Sequence, residues 1–105
     1  GMLVTLPKAF DEDPKNAHLV EAFKAKKQDP RGAFVFPAYA AVQVMADAMT
    51  MSKSQDPEVI AQTLRSNSFD TPTGVLEFDD KGDLKNFSFV VYEWHADGSK
   101  TALTE

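Results

Sequence analysis

The sequence predicts an α/β chain: a strand, three helices, then two or three strands. Three observations carry that expectation. Short β-prone apolar runs stand near both ends, at Met2–Leu6 and from Thr73 onward. Between them, apolar residues recur at helical spacing in three stretches. Two of those stretches open on an Asp-Pro pair, Asp13-Pro14 and Asp56-Pro57, where Asp caps and Pro suits the first helical position.

The elements follow in order. Met2-Leu3-Val4-Thr5-Leu6 reads as a buried strand stopped by Pro7, and Pro7 to Glu12 as a loop. From Asp13-Pro14 to about Gln28 the sequence predicts a surface helix, with Leu19, Val20 and Phe23 on one stripe and Lys15, Glu21, Lys24 and Lys26 elsewhere. Asp29-Pro30-Arg31-Gly32 is a turn. A second helix is expected over about Phe34 to Lys53, with Pro37 in its first turn. Ala38, Ala41, Val42, Met45, Ala48 and Met49 repeat at i, i+3, i+4, i+7, and Ala40, Val44 and Met51 make its other side apolar too. A helix apolar nearly all round is expected to be covered all round. The third helix carries Val59, Ile60, Thr63 and Leu64 and ends near Asn67. Thr73 to Phe78 reads as a strand, followed by a turn over Asp79-Asp80-Lys81-Gly82-Asp83, with Gly82 at the position that favours positive φ. Asn86 to His95 is nearly continuous in apolar residues, so it reads as a strand buried on much of both faces. Asp97-Gly98 is a tight-turn signal before a short strand from Ser99 to Leu103.

Composition narrows the function classes. At 105 residues the chain is the size of one domain. Its formal net charge of −5 argues against a nucleic-acid or anionic-membrane surface, since both need basic patches. Cysteine is absent, which removes disulfide scaffolds, thiolate metal sites and thiol nucleophiles. Residues 1–7 have no basic stretch and no long apolar core, so they do not read as a signal peptide. Ala33 to Met51 is interrupted by Gln43, Asp47 and Thr50 and is a poor membrane span.

The chemistry-bearing residues form no catalytic pattern. His18 and His95 lie far apart and lack the ligand spacing of zinc sites, so no metal is expected. The Asp79–Asp83 cluster lacks the alternating ligands and closing Glu of a calcium loop, and reads as a solvated turn. No G-x-S-x-G elbow, G-x-G-x-x-G loop or P-loop occurs. No enzyme and no cofactor is therefore expected. The run Phe34-Val35-Phe36-Pro37-Ala38-Tyr39-Ala40-Ala41 places aromatics at the start of a helix, where they could wall an apolar pocket or simply pack a core.

Four phrases then carry a resemblance: Gly1-Met2-Leu3-Val4-Thr5-Leu6-Pro7-Lys8, the run from Gly32 through Tyr39-Ala40-Ala41-Val42-Gln43, Phe78-Asp79-Asp80-Lys81-Gly82-Asp83-Leu84-Lys85, and Trp94-His95-Ala96-Asp97-Gly98. In order and spacing they resemble the carboxy-terminal part of the leucine/isoleucine/valine-binding proteins. These are periplasmic solute receptors of branched-chain amino-acid ABC transporters, with the type I periplasmic-binding-protein fold.

The resemblance implies a piece, roughly the last third, of a two-lobed receptor that closes on its ligand like a hinged trap. Residues 1–8 and 87–105 would belong to the carboxy-terminal lobe and hinge, and residues 9–86 to the amino-terminal lobe. A signal peptide would precede the part not present. The ligand's charged ends would be held mostly by upstream groups, and Phe34 would match an aromatic that touches the aliphatic side chain, with Phe36 and Tyr39 nearby. Phe36-Pro37-Ala38 departs from the Trp and hydroxyl-bearing residues of close relatives, which bears on which amino acid is taken. The implied partners are an apolar amino acid and a membrane permease. Alternatively, the chain is a free-standing, self-associating module without ligand. The unpartnered apolar helix and strand edges then lead to the expectation of an intertwined homodimer or larger oligomer.

Overall fold

The two ends of the chain meet in one sheet. The fold is known from a computed structural model, which describes residues 1–85, 87 and 89–103. Strand β1 (Leu3–Leu6) pairs antiparallel with β4 (Val90–Trp94), in a register running from Leu3 opposite Glu93 to Leu6 opposite Val90. Strand β5 (Lys100–Ala102) pairs with the other edge of β4, giving the order β1-β4-β5. The β4–β5 turn closes as the Asp97-Gly98 signal predicts: the His95 amide donates to the Ser99 carbonyl at 2.8 Å, and Gly98 takes φ of 87°.

Between β1 and β4 the chain builds a separate helical body. Two 3-10 turns, Phe10–Glu12 and Pro14–Asn16, lead into α1 (Ala17–Ala25). Asp13 caps the second turn by accepting the Lys15 amide at 3.1 Å, so the Asp-Pro signal starts a 3-10 turn rather than the α-helix itself. Helix α2 spans Val35–Ser52 and stops where Lys53 turns left-handed, at φ of 53°. Helix α3 (Pro57–Ser66) begins under the Asp56 cap, whose carboxylate accepts the Glu58 amide at 3.0 Å. A hairpin follows, β2 (Phe69–Thr71) against β3 (Gly74–Leu76). The core of this body is Val44 and Ala48 of α2, Ile60 of α3 and Phe69 of β2, with Met49, Leu64, Leu76 and Phe78 packed around them.

Several expectations are corrected here. The first strand is an edge strand and is not buried: Leu3 and Thr5 are exposed while Val4 and Leu6 are half-buried. The long helix is covered on one face only. Phe36, Ala40, Val44 and Ala48 are buried at a spacing of four, whereas Val42, Met45 and Met51 face solvent. The strand at Phe69–Thr71 falls in a stretch to which the sequence assigned no element. It is secured by its own side chains: the buried Thr71 hydroxyl donates to the Gly74 carbonyl at 2.8 Å and accepts the Thr73 amide at 3.1 Å. The strand expected over Thr73–Phe78 is reduced to Gly74–Leu76. Of the strand expected over 86–95, positions 86 and 88 lie outside the described residues, and the described strand is Val90–Trp94. It alternates rather than burying both faces: Val90 and Tyr92 are buried, Val91 and Glu93 half-buried and Trp94 exposed.

The two bodies are joined through the segment after β1. Here Pro7 is buried, and the Ala9 amide donates to the Tyr92 hydroxyl at 3.0 Å. Buried Asn16 ties the same segment to the hairpin, since its amide nitrogen donates to the Phe10 carbonyl at 3.0 Å and the Pro72 carbonyl at 2.9 Å. The shape is long and thin, 50 × 33 × 19 Å, with a radius of gyration of 16.0 Å. A compact chain of this length has about 13 Å.

Candidate functional site

Two concavities flank the junction of sheet and helical body. The smaller holds about 130 Å³ and is lined by the segment Leu6–Asp11, the turn Arg31–Ala33, the start of α2 at Phe36 and Pro37, and Trp94 and Lys100 from the sheet. The larger holds about 590 Å³ and is open and mainly apolar. Its walls are the exposed side of α2 around Ala41 and Met45, the strand β3, and Leu84, Phe87 and Val90. Lys8, Phe10 and Pro37 line both, so they form the wall between them.

The three aromatics singled out by sequence separate in space. Phe34 sits at the N-cap of α2 and is 66% exposed, lining neither concavity. Phe36, two residues on, points the opposite way: it is 2% exposed, faces the smaller concavity and packs on Phe23 with ring centroids 5.8 Å apart. Tyr39 is half-open to solvent and meets the same Phe23 edge-on at 6.1 Å. Phe23 of α1 therefore holds Phe36 and Tyr39 in place, and Phe34 projects freely from the helix start.

The turn that precedes Phe34 is held by charge. Asp29 accepts the Arg31 guanidinium through both carboxylate oxygens, at 2.9 and 2.8 Å, and the Arg31 amide at 3.0 Å. These side-chain hydrogen bonds first, and the amide second, lower the Asp29 pKa from 3.8 to about 2. On the sheet, the Lys100 ammonium lies 5.3 Å from the Tyr92 ring centre and 5.9 Å from that of Trp94, a cation over two aromatic faces. Sequence reasoning did not find Lys8, Phe10 or Lys100 as cavity residues. No local pattern marks them, because Lys8 and Phe10, just after β1, meet Lys100 of β5 only once both strands pair with β4.

The remaining candidates are surface features. His18 and His95 are exposed, and His95 shares a 2.6 Å hydrogen bond with Thr101 across the β4–β5 hairpin. Asp79 accepts the amides of Lys81 and Asp83 at 2.9 and 3.0 Å, and Lys81 pairs with Asp83 at 3.2 Å. Those carboxylates are engaged in closing their own turn, around Gly82 at φ of 91°. Among the described residues, no group of three or more His, Asp or Glu could hold a metal ion. Among them, too, no helix is long and apolar enough to cross a membrane.

Residues 10–105 match the periplasmic binding protein domain. The chain is 60% identical over 103 residues to a leucine-, isoleucine-, valine-, threonine- and alanine-binding protein of Pseudomonas aeruginosa, covering 98% of this chain and 28% of that protein. It is 54% identical to a leucine-specific-binding protein of Salmonella typhimurium, covering 96% of this chain and 27% of that protein. Among solved structures, a leucine binding protein from Thermotoga maritima aligns over 97% of this chain and 29% of its own length, with a TM-score of 0.75 and 28% identity. An R. palustris solute-binding protein, solved with benzoate, shares the fold at a TM-score of 0.73 and 20% identity, over 99% of this chain and 29% of its own length. The chain thus spans under a third of the length of the relatives it matches. These are binding proteins rather than enzymes, and the observed strand, helices and strands match part of their fold. With nearly its whole length inside that domain, the chain belongs to the periplasmic binding protein family.

Proposed function

We propose that this chain is the carboxy-terminal segment of a periplasmic receptor that captures branched-chain or other apolar amino acids and hands them to the permease of an ABC transporter. The observation that carries the proposal is the 60% identity, over 98% of the chain, to a protein named for binding leucine, isoleucine, valine, threonine and alanine. In this reading residues 1–8 and 87–105 belong to the carboxy-terminal lobe and hinge, and residues 9–86 to the amino-terminal lobe. Positions 86, 88, 104 and 105 of that division lie outside the described residues. The separation of a three-stranded sheet from a helical body, with the chain crossing between them just after Leu6, supports the division.

Within the cleft, Phe34 supplies apolar wall against the ligand side chain. Its exposure at the start of α2 leaves the ring open to a partner. Phe36 and Tyr39, which stand apart from Phe34 and are braced by Phe23, are the further apolar candidates. Burying a leucine side chain contributes about 2 kcal/mol. Even millimolar affinity requires about 4 kcal/mol. The chain alone therefore binds leucine more weakly than millimolar, because the groups that grip the charged ends lie in the rest of the receptor. Titration calorimetry of the 105-residue chain with leucine tests this, and a micromolar dissociation constant refutes it.

A second reading, a self-associating module without ligand, is favoured by one observation. The chain exposes 7354 Å². A compact protein of 11.6 kDa exposes about 5,800 Å². The excess of about 1,500 Å² per chain is enough for a stable interface, and Val42 and Met45 are among the exposed apolar residues.

A further inference from the structure

We propose that the hydrogen bond from the Ala9 amide to the Tyr92 hydroxyl is a latch that sets the angle between the sheet and the helical body, with Tyr92 as its positioning residue. Three observations converge on it. First, Tyr92 stands at the centre of the junction. On one face of β4, Val90 lines the larger concavity and Trp94 the smaller, and Tyr92 lies between them, 4% exposed. Second, its partner is a bend. The Phe10 amide donates to the Lys8 carbonyl at 2.9 Å, and Ala9 has φ of −77° and ψ of 82°, which is an inverse γ-turn. The Ala9 amide points out of that turn at the hydroxyl, 3.0 Å away and 83 residues distant in sequence. Third, the Lys100 ammonium lies over the ring face, 5.3 Å from its centre, a second contact that restrains the ring beside the hydroxyl's hydrogen bond.

The physical consequence is specific. A γ-turn at the exit of β1 is a natural pivot, since rotation about a few backbone angles there swings the whole helical body. The latch pins the pivot to the central strand of the sheet. Removing the hydroxyl leaves the core of each body untouched, because Tyr92 lies outside the Val44–Ile60–Phe69 cluster and enters the β-ladder, opposite Val4 and Ala102, through its backbone alone. On the proposed receptor reading, the same bond biases the open and closed states of the cleft. Tyr92→Phe in the longer protein then shifts ligand affinity by about 2- to 10-fold without reordering ligand preference.

The test uses the 105-residue chain and no ligand, so it stands apart from the receptor reading. The absence of cysteine allows one pair of spin labels to be placed cleanly, at Gln62→Cys on exposed α3 and Ala102→Cys on exposed β5. With labelled chain diluted into an excess of unlabelled chain, so that only distances within one copy are read, the inter-label distance distribution in the parent background is expected to be narrow. Tyr92→Phe is expected to broaden or shift it, and to speed hydrogen exchange at the Ala9 amide about 10-fold. Exchange at the His95 amide, which reports the β4–β5 hairpin, is expected to stay unchanged. Ala9→Pro removes the donor while φ of −77° suits proline. It is expected to broaden the distribution as Tyr92→Phe does, and the double variant is expected to do no more than either single one. An unchanged distribution, unchanged Ala9 exchange or additive effects in the double variant each overturn the latch. Should Ala9→Pro fail to fold, the two Tyr92→Phe measurements decide.

Discussion

Asn16 shows how much one side chain organises. It is 3% exposed, and its amide group donates to two carbonyls, Phe10 and Pro72, that belong to distant parts of the chain. Alanine there removes both donors, leaving the Phe10 carbonyl with the Asp13 amide at 3.2 Å and depriving the Pro72 carbonyl of its side-chain donor. Asn16→Ala is expected to cost about 1–3 kcal/mol in urea unfolding. Asn16→Asp is expected to be no better above pH 5, since it puts a carboxylate against two carbonyls. At the turn before Phe34, the Asp29–Arg31 fork is the charge-sensitive point. Its carboxyl pKa is depressed to about 2, so the fork's contribution is complete above about pH 4 and fades as pH falls through about 2. Carbon-detected NMR titration is expected to place the Asp29 midpoint near 2, and Arg31→Ala is expected to return it toward 3.8.

At the scale of elements, α2 decides most. Its buried residues, Phe36, Ala40, Val44 and Ala48, recur every four positions, so one narrow stripe makes all the tight contacts. Ala48 is fully buried against α3 and β2, at 0% exposure, where a larger side chain has no room. Ala48→Leu is expected to destabilise by about 1–3 kcal/mol through overpacking. In dilute solution, where the chain is monomeric, Val42→Thr at a position 72% exposed is expected to change stability by less than about 0.5 kcal/mol. Finding Val42→Thr as damaging as Ala48→Leu in chemical unfolding would mean that the second face is covered in solution. The β2–β3 hairpin carries the opposite lesson. Its three-residue strands have little pattern to read, and the Thr71 hydroxyl network supplies what periodicity does not.

For the whole molecule, the surface is too large for the mass. The long, thin shape leaves Met45, Val75 and Phe87 exposed around one open apolar concavity, and Val42 exposed one helix turn before Met45. Such surfaces are normally covered. By itself in solution the chain is expected to self-associate, giving at least a dimer by multi-angle light scattering at about 100 μM. Val42→Lys with Met45→Lys is expected to shift it toward monomer, because two buried charges per chain oppose the contact. A monomer in the unsubstituted chain at that concentration contradicts this.

Much of the architecture was legible because it is local. Asp-Pro caps marked the starts near Pro14 and Pro57, spacing of three and four marked the helices, and Asp97-Gly98 marked the last hairpin. Four short phrases were enough for the family. What the sequence by itself determined is therefore the order of the three helices and of the strands at either end, β2 apart, and the absence of catalytic motifs, since these depend on neighbours a few residues apart. Only the tertiary structure decided that β1 is an edge, that α2 is bare on one side, and that Lys8, Phe10, Tyr92 and Lys100 meet at one junction. Strand pairing between the two ends of the chain creates that junction, and no pattern within a single segment encodes a partner more than 80 residues away.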